Sequence, residues 1–527
     1  MTVRFPSLDP RRRVDVALAA LGVAFGSVSL SFPFGRDQGA FFVVAREWLK
    51  RGAIPYRDAF EQKPPGIIAA HALSIALFGE RMVSIRILEL ACVVALGVTC
   101  ARLATPADDP VPPGVAGASV LAACVLYFGF FDFWNTGQCE IWCTTLALAS
   151  ACVATRARTE RRALLAGGVL GGLALLFKPP AVFLVAFALA AAVAHAARGS
   201  GARARRIGRA ALLFTAGGAI PVALVVAYFA LVGGLPALID VQIGANGYYL
   251  RHQTNVTSVF EALERMQGMY KLFEPVSALL LEASVIGLAV GVARRDRPMR
   301  DRHAAAFVAI ACAAAGVLVQ RKLYFYHWGL MVGPATLVAA NVALDVVALA
   351  RWRWPDRSST LAAGLFAGNL VVAYALTGRA ANKWGEEVIA ACSWLAGRAD
   401  DAAFGRSFDA PEVDYPFEEA RETAAWLRDH TSPTDEVAVR GFDAEIYAMS
   451  GRRFHGRFYD TNFLADAHLA YRRDEWLRED RAAFEHDPPR WVVTRTDLPE
   501  PPDLPSTFLA LGYVERAHIG GFVVLGR

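Results

Sequence analysis

Five ionisable residues, Arg36, Asp37, Asp58, Glu61 and Lys63, crowd into the stretch FGRDQGAFFVVAREWLKRGAIPYRDAFEQKPPG that runs from Phe34 to Gly66. They follow directly on residues 14–34, an apolar run almost free of charge after Asp15 and long enough to cross a bilayer. Acids and bases at that height can meet a lipid head group without entering hydrocarbon, so the cluster points to chemistry on a lipid-linked substrate. Moving a sugar from a polyprenyl phosphate to a hydroxyl needs a base for the hydroxyl proton as the anomeric carbon is attacked. It also needs a cation to receive the departing phosphate. Asp37 suits the first role, and Lys63, followed by Pro64 and Pro65, suits the second, with Arg36 and Arg321 as further cations. Plainer readings stand beside these: Asp37 as an exposed helix cap paired with Arg36, and Lys63 as an anchor snorkelling at the membrane surface.

Three further segments carry reactive side chains. FDFWNTGQCEIW supplies Asp132 and Glu140, and Glu140 opens an apolar run, where an ionisable group is costly unless it serves a site or bonds to a neighbouring helix. Lys178, in LLFKPPAV, falls between two apolar runs and either binds a phosphate or snorkels. QRKLYFYHWG combines Arg321, Lys322, Tyr324, Tyr326 and His327, which suits contact with phosphate or sugar and equally suits an aromatic belt at head-group level.

The elements that must position these residues are mostly membrane spans. Of the 527 residues, 55% are hydrophobic and only 20% charged. With a mean hydropathy of +0.34 this describes a polytopic membrane protein with a soluble part attached. Apolar runs recur at about 14–34, 82–104, 115–131, 139–155, 163–177, 179–197, 210–232, 276–293, 303–319, 328–350 and 359–377, giving about eleven spans. Arg11, Arg12 and Arg13 precede the first, which places the N-terminus in the cytoplasm. Four of the five loops then expected inside are basic, carrying Arg156, Arg158, Arg161 and Arg162; Arg198 to Arg209; Arg294 to Arg302; and Arg351, Arg353 and Arg357. The net charge of +5 therefore reports topology, and no nucleic-acid partner is expected. Phe32, Pro33, Phe34 and Gly35 offer no small-x-small cleavage site, so the first run reads as a retained anchor. Seven of the 8 Cys lie in or beside apolar segments, and neither a disulfide framework nor a CxxC metal site is indicated.

Two juxtamembrane helices, one over AFFVVAREWLKRG and one over residues 64–79, are expected to lie at the interface within a first outer loop, 34–81. A second outer loop, 233–275, reads as a cap. From residue 378 to 527 the composition becomes that of a small extracytoplasmic α/β domain, with a helix at 416–430 and strands at 435–441, 490–495 and 521–527. Asp443, Glu445, Arg452, Arg453 and His455 in it form either a binding surface or a solvated loop.

FGRDQGAF, GxxPYRDxFEQKPPG, ALFG and the Arg86-containing start of the next span together resemble the first outer loop of the GT-C glycosyltransferases. The bacterial branch that includes lipid A aminoarabinose transferase, akin to the protein O-mannosyltransferases, is the nearest in pattern. The resemblance implies an all-α polytopic GT-C-type domain over 1–377 in a bacterial inner membrane. It also implies a polyprenyl-phosphate sugar donor, an acceptor that is a lipid, glycan or protein, and hexosyl or pentosyl transfer by a single inverting displacement. By position, Asp37 becomes the catalytic base or acceptor-orienting acid and Lys63 the donor-phosphate contact. Glu140 is preferred as the second acid. Relatives carry a basic and aromatic loop like that of Arg321, Tyr324, Tyr326 and His327, which implies phosphate or sugar contact there; Arg36 and Lys178 stand beside it as further phosphate candidates, and Asp132 as a donor or acceptor contact. Relatives often carry Glu where this chain has Gln38 and Gln62, departures that bear against a metal contact and on the type of acceptor, so a divalent metal stays an open cofactor and no other is expected. A transporter or flippase of lipid-linked saccharide is the rival class, against which the chain shows no inverted repeat. A non-catalytic cell-envelope assembly protein is a third.

Overall fold

A computed structural model describes residues 10–156, 160–198, 202–353, 358–465, 471–495 and 511–527. Arg158 and Arg357, and the side chains of Arg11 and Arg12, lie outside what is described.

The helices in chain order are α1 (Pro10–Gly26), α2 (Arg36–Arg51), α3 (Pro65–Phe78), α4 (Met82–Ala104), α5 (Val115–Phe128), α6 (Cys139–Arg156), α7 (Glu160–Phe177), α8 (Val182–Ala197) and α9 (Arg203–Leu231). Next come α10 (Leu235–Ile239), α11 (Asn246–His252), α12 (Val259–Leu272), α13 (Val276–Ala293), α14 (Arg297–Leu318), α15 (Gly329–Arg353) and α16 (Ser358–Ala375). The C-terminal part adds α17 (Arg379–Leu395), α18 (Asp401–Arg406), α19 (Phe417–His430), α20 (Glu445–Ser450), α21 (Asn462–Ala465) and α22 (Arg473–His486). Its strands are β1 (Glu436–Arg440), β2 (Arg453–Phe454), β3 (Trp491–Arg495), β4 (Val514–Ile519) and β5 (Phe522–Gly526). Each of the apolar runs expected as a span is helical. Among the described residues, 7 helices are long and apolar enough to cross a membrane by length and composition, and shorter apolar helices accompany them.

The chain divides into two compact units. The first comprises residues 1–30, 86–224 and 255–386 and is a helical bundle. Its centre is α5, where every residue but Ala116 is buried, against α1, α15 and α16. A helix apolar all round has no face to give to water, and this one is enclosed accordingly. Small residues set the closest approaches: a Cβ on Gly168 or Gly172 of α7 would fall 2.0 or 2.2 Å from the carbonyl oxygens of Phe214 or Gly218 in α9, so only glycine lets these backbones touch.

The second unit comprises residues 31–85, 225–254 and 387–527. The segment 233–275, expected as a single cap, is thus shared between the units. The sheet of the second unit has the order β2-β1-β3-β5-β4, with β1 parallel to β2 and β3, and β5 antiparallel to β3 and β4. β1, β3 and β5 are largely buried. The edge strand β4 is largely exposed and carries Glu515, Arg516 and His518, which discourages pairing with another sheet.

One expectation is corrected here. α2 does not lie on a surface with one face free: Gln38 through Glu47 are all buried, packed on α3 and α20. Its charged residues are satisfied internally, Arg46 donating to the carbonyls of Tyr447 (2.9 Å) and Arg452 (2.6 Å). Gly39 also differs from its expected use as a turn residue. It sits inside α2, and a Cβ there would lie 2.7 Å from the backbone nitrogen of Glu445. α3 does expose apolar side chains, Leu73, Leu77 and Phe78.

Candidate active site

In the second unit, Asp37 occupies the first turn of α2, where the amide dipoles favour a carboxylate. Lys63 immediately precedes the Pro64–Pro65 start of α3. The Lys63 ammonium lies 3.6 Å from Asp37 Oδ2, with 17% of the lysine side chain and 24% of the aspartate exposed. A pair so placed is held and still reachable from solvent.

The loop that delivers Lys63 is built by the PYRD and EQK residues. Tyr56 is buried in a left-handed conformation (φ 71°), and its hydroxyl donates to the Lys63 carbonyl at 3.0 Å. Asp58 accepts from the Ile54 amide at 2.8 Å and closes the turn, which gives this acid a structural task. From the other side, a π-helical turn over Asp240–Ala245 brings Gln242 Nε2 within 3.3 Å of the Lys63 carbonyl, while Asn246 Nδ2 donates to the Gln62 carbonyl at 3.0 Å. Glu61 is buried, accepting from the Lys63 amide at 2.9 Å and the Tyr459 hydroxyl at 2.7 Å. Burial pushes its carboxyl up to about 7, against the pull of those two hydrogen bonds and of the Lys63 charge.

Arg36 is turned into the fold. It pairs with Asp443 at 3.3 Å and donates to the carbonyls of Val413 (3.2 Å) and Asp414 (2.6 Å), leaving 11% of its side chain exposed. Arg495 closes the other side, 2.9 Å from Asp414 and 3.8 Å from Asp443. Asp443, Glu445 and Asp460 are all buried, and burial raises the carboxyl pKa of each, opposed by the Arg36 charge. Asp443, Glu445 and His455 are therefore not a solvated loop; Arg453 alone of that group is well exposed. Sequence reasoning missed Asp460, Tyr459 and Arg495 altogether. Among the described residues no group of three or more His, Cys, Asp or Glu side chains is arranged to hold a metal ion.

In the first unit, the structure gathers a second set. Glu140, buried in the first turn of α6, is in direct contact with the Lys178 ammonium, which also lies 5.2 Å from the centre of the Tyr326 ring. Tyr326 stacks on Tyr324 at 5.8 Å and meets His327 edge-on at 4.7 Å. Arg321 is exposed, with φ 57° and its carbonyl accepting from the Asn255 amide at 3.1 Å. Asp132 serves its own turn, accepting from the amides of Trp134 and Asn135 and from the Asn135 side chain. The loop between Asp132 and Glu140 is clamped by a network that sequence reasoning did not find: buried Glu89 takes Arg86 at 3.2 Å, the Tyr127 hydroxyl at 2.5 Å and the Gly137 amide. The signal was present as an acid three residues after Arg86 in an apolar helix.

The first unit is an α-helical bundle with spans apolar enough for a membrane, and the second carries a small mixed sheet with an acid–lysine pair at the starts of α2 and α3. The family model described as "Dolichyl-phosphate-mannose-protein mannosyltransferase" matches residues 62–229. A crystal structure of ArnT from Cupriavidus metallidurans bound to undecaprenyl phosphate aligns with a TM-score of 0.57 and 17% identity, over 97% of this chain and 97% of that one. The apo structure of the same protein aligns with a TM-score of 0.55 and 16% identity, again over 97% of each chain. No curated protein gives a significant sequence match. The GT-C fold expected from the sequence is thus met along the chain, with the several apolar helices of a multi-pass membrane protein.

Proposed function

We propose that this protein is a membrane glycosyltransferase that moves a sugar from a polyprenyl-phosphate donor to a hydroxyl of an extracytoplasmic lipid, glycan or protein, inverting the anomeric centre. The Asp37–Lys63 pair carries the reading, because it puts a carboxylate and an ammonium 3.6 Å apart with both still reachable. That the similar ArnT structure holds undecaprenyl phosphate supports a donor of the same lipid class.

Asp37 accepts the proton of the acceptor hydroxyl as its oxygen forms the bond to the anomeric carbon. The bond from that carbon to the phosphate oxygen breaks, and the polyprenyl phosphate leaves with the electron pair, its charge met by Lys63. Arg36 has a different task, fixing the first turn of α2, and within the second unit the phosphate is left to Lys63. Glu140, braced by Lys178, orients the sugar or acceptor beside Tyr324, Tyr326 and His327. The basic loops support an N-terminus in the cytoplasm of a bacterium, with the protein in its inner membrane.

The test is transfer by purified protein in lipid, with a panel of radiolabelled polyprenyl-phosphate sugars, comparing wild type with Asp37→Asn and Lys63→Ala. Transfer lost in both variants, with melting unchanged, supports the reading. Full transfer by Asp37→Asn would remove Asp37 from the mechanism, and translocation of donor without transfer would favour a flippase.

A further inference from the structure

At the arginine-rich end of the first unit a cavity of about 540 Å³ opens between the ends of α4, α6, α8, α14 and α15. It is far from neutral. Arg156, Arg198, Arg297 and Arg302 line it, and Asp301 is the acid among the lining residues. Asp301 is shared by three guanidinium groups, Arg198 at 3.1 Å, Arg300 at 2.9 Å and Arg297 at 3.6 Å. Arg302 is taken by Asp345. Arg156 makes no ion pair with a described residue; it donates to the carbonyls of Arg102, Thr105 and Pro106 at the end of α4. Among the lining residues four arginines thus stand against one carboxylate, Asp301, while Asp108, Asp109, Asp296 and Asp345 act on Arg156 and Arg302 from outside the lining, and Arg198 and Arg297 share the single Asp301 at the open side.

The walls are of the opposite character. Phe187, Ala191, Ala305 and Leu337 make the interior apolar, which gives a small hydrated anion no advantage. Asn341, also on the wall, is fully buried. Its Nδ2 donates to the Arg302 carbonyl at 3.1 Å, and its Oδ1 has no hydrogen-bond partner among the described residues. An unsatisfied buried acceptor calls for a donor, such as an alcohol. Guanidinium groups for a phosphate, an acceptor for a hydroxyl and apolar walls for a chain together describe an amphiphile, and basic pockets between spans are a known way to hold lipid head groups.

We propose that this cavity binds the head group of an anionic glycerophospholipid, with the phosphate at Arg198 and Arg297, the glycerol hydroxyl at Asn341 and the first methylenes against Phe187 and Leu337. The site is separate from the Asp37–Lys63 pair and does not depend on transferase activity.

The full-length protein in detergent is titrated with dioctanoyl phosphatidylglycerol, dioctanoyl phosphatidylcholine and inorganic phosphate, following the rise in Tm. The Arg198→Ala/Arg297→Ala double variant and Asp301→Asn are treated alike. Arg198 and Arg297 are mostly exposed, so their removal leaves the fold intact, which the unliganded Tm checks. Saturable stabilisation by phosphatidylglycerol is expected, weakened about thirtyfold in the double variant from two charges at the membrane surface and tightened by Asp301→Asn. Equal response to phosphatidylcholine, or phosphatidylglycerol binding unchanged in the double variant, overturns the proposal. Inorganic phosphate binding as tightly as phosphatidylglycerol also overturns it, since the apolar walls would then contribute nothing.

Discussion

Arg36 and Asp443 stand 407 positions apart in the chain and meet at 3.3 Å, the aspartate 1% exposed. With the carbonyls of Val413 and Asp414 on the same guanidinium, this contact ties the first turn of α2, and so Asp37, to the C-terminal domain. Removing one partner of a buried pair leaves the other charge uncompensated, at about 3–5 kcal/mol. Arg36→Ala should therefore lower Tm by several degrees and abolish transfer together. Lysine should not rescue it, because one ammonium cannot reproduce the fork. An Arg36→Ala protein that melts with wild type would reopen Arg36 as a phosphate ligand.

Asp37→Asn keeps the size of the side chain and removes the base. Transfer should fall by roughly 10²–10⁴ while Tm holds. Lys63→Arg should retain more activity than Lys63→Ala, since positive charge at the phosphate is the requirement. Initial rates over a range of donor concentrations separate the two residues: a loss confined to donor KM in Asp37→Asn would contradict a role in proton removal.

Gly39→Ala sets helix propensity against packing. Alanine favours the helix by about 0.5–1 kcal/mol, but its Cβ would fall 2.7 Å from the Glu445 backbone nitrogen, and overpacking of this kind costs about 1–3 kcal/mol. Packing should win, and Tm should drop. A variant more stable than wild type would show that α2 and α20 part easily.

Glu61, with its carboxyl raised to about 7 by burial, keeps its proton in the folded protein at pH values where the unfolded chain has lost it. Stability contributed by that proton is complete below about pH 4.5 and declines as pH rises to about 7, by roughly 3 kcal/mol in total. Glu61→Gln still accepts from the Lys63 amide, can donate its amide to the Tyr459 oxygen, and abolishes the titration, so melting curves between pH 4.5 and 8 should show the variant gaining on wild type as pH rises. A constant difference across that range would mean Glu61 is ionised throughout.

Much of the fold was legible because its signals are local. The apolar runs became helices, and DEVAVRG, RWVVTR and GFVVLGR became β1, β3 and β5, since a buried strand declares itself by its own composition. β4 did not, because an edge strand with no buried face has no alternation to read, and β2 is two residues long. In the site, Asp37 and Lys63 were legible because the helix start and the KPP turn are encoded within a few residues of each. Asp443, Glu445 and Arg46 were not. Each looks solvent-loving in its own neighbourhood, and each is buried by a partner hundreds of positions away.

The second unit is assembled from residues 31–85, 225–254 and 387–527. At about 5–20 residues per second of synthesis, Asp443 is made ~20–80 s after the Arg36 it must hold. Throughout that interval the nascent chain already possesses Asp37 and Lys63 but lacks the anchor that fixes the first turn of α2. A chain stalled or clipped before residue 443 therefore carries the Asp37–Lys63 pair without the buried carboxylate that anchors the turn before it, so the order of synthesis itself delays the fixing of that turn.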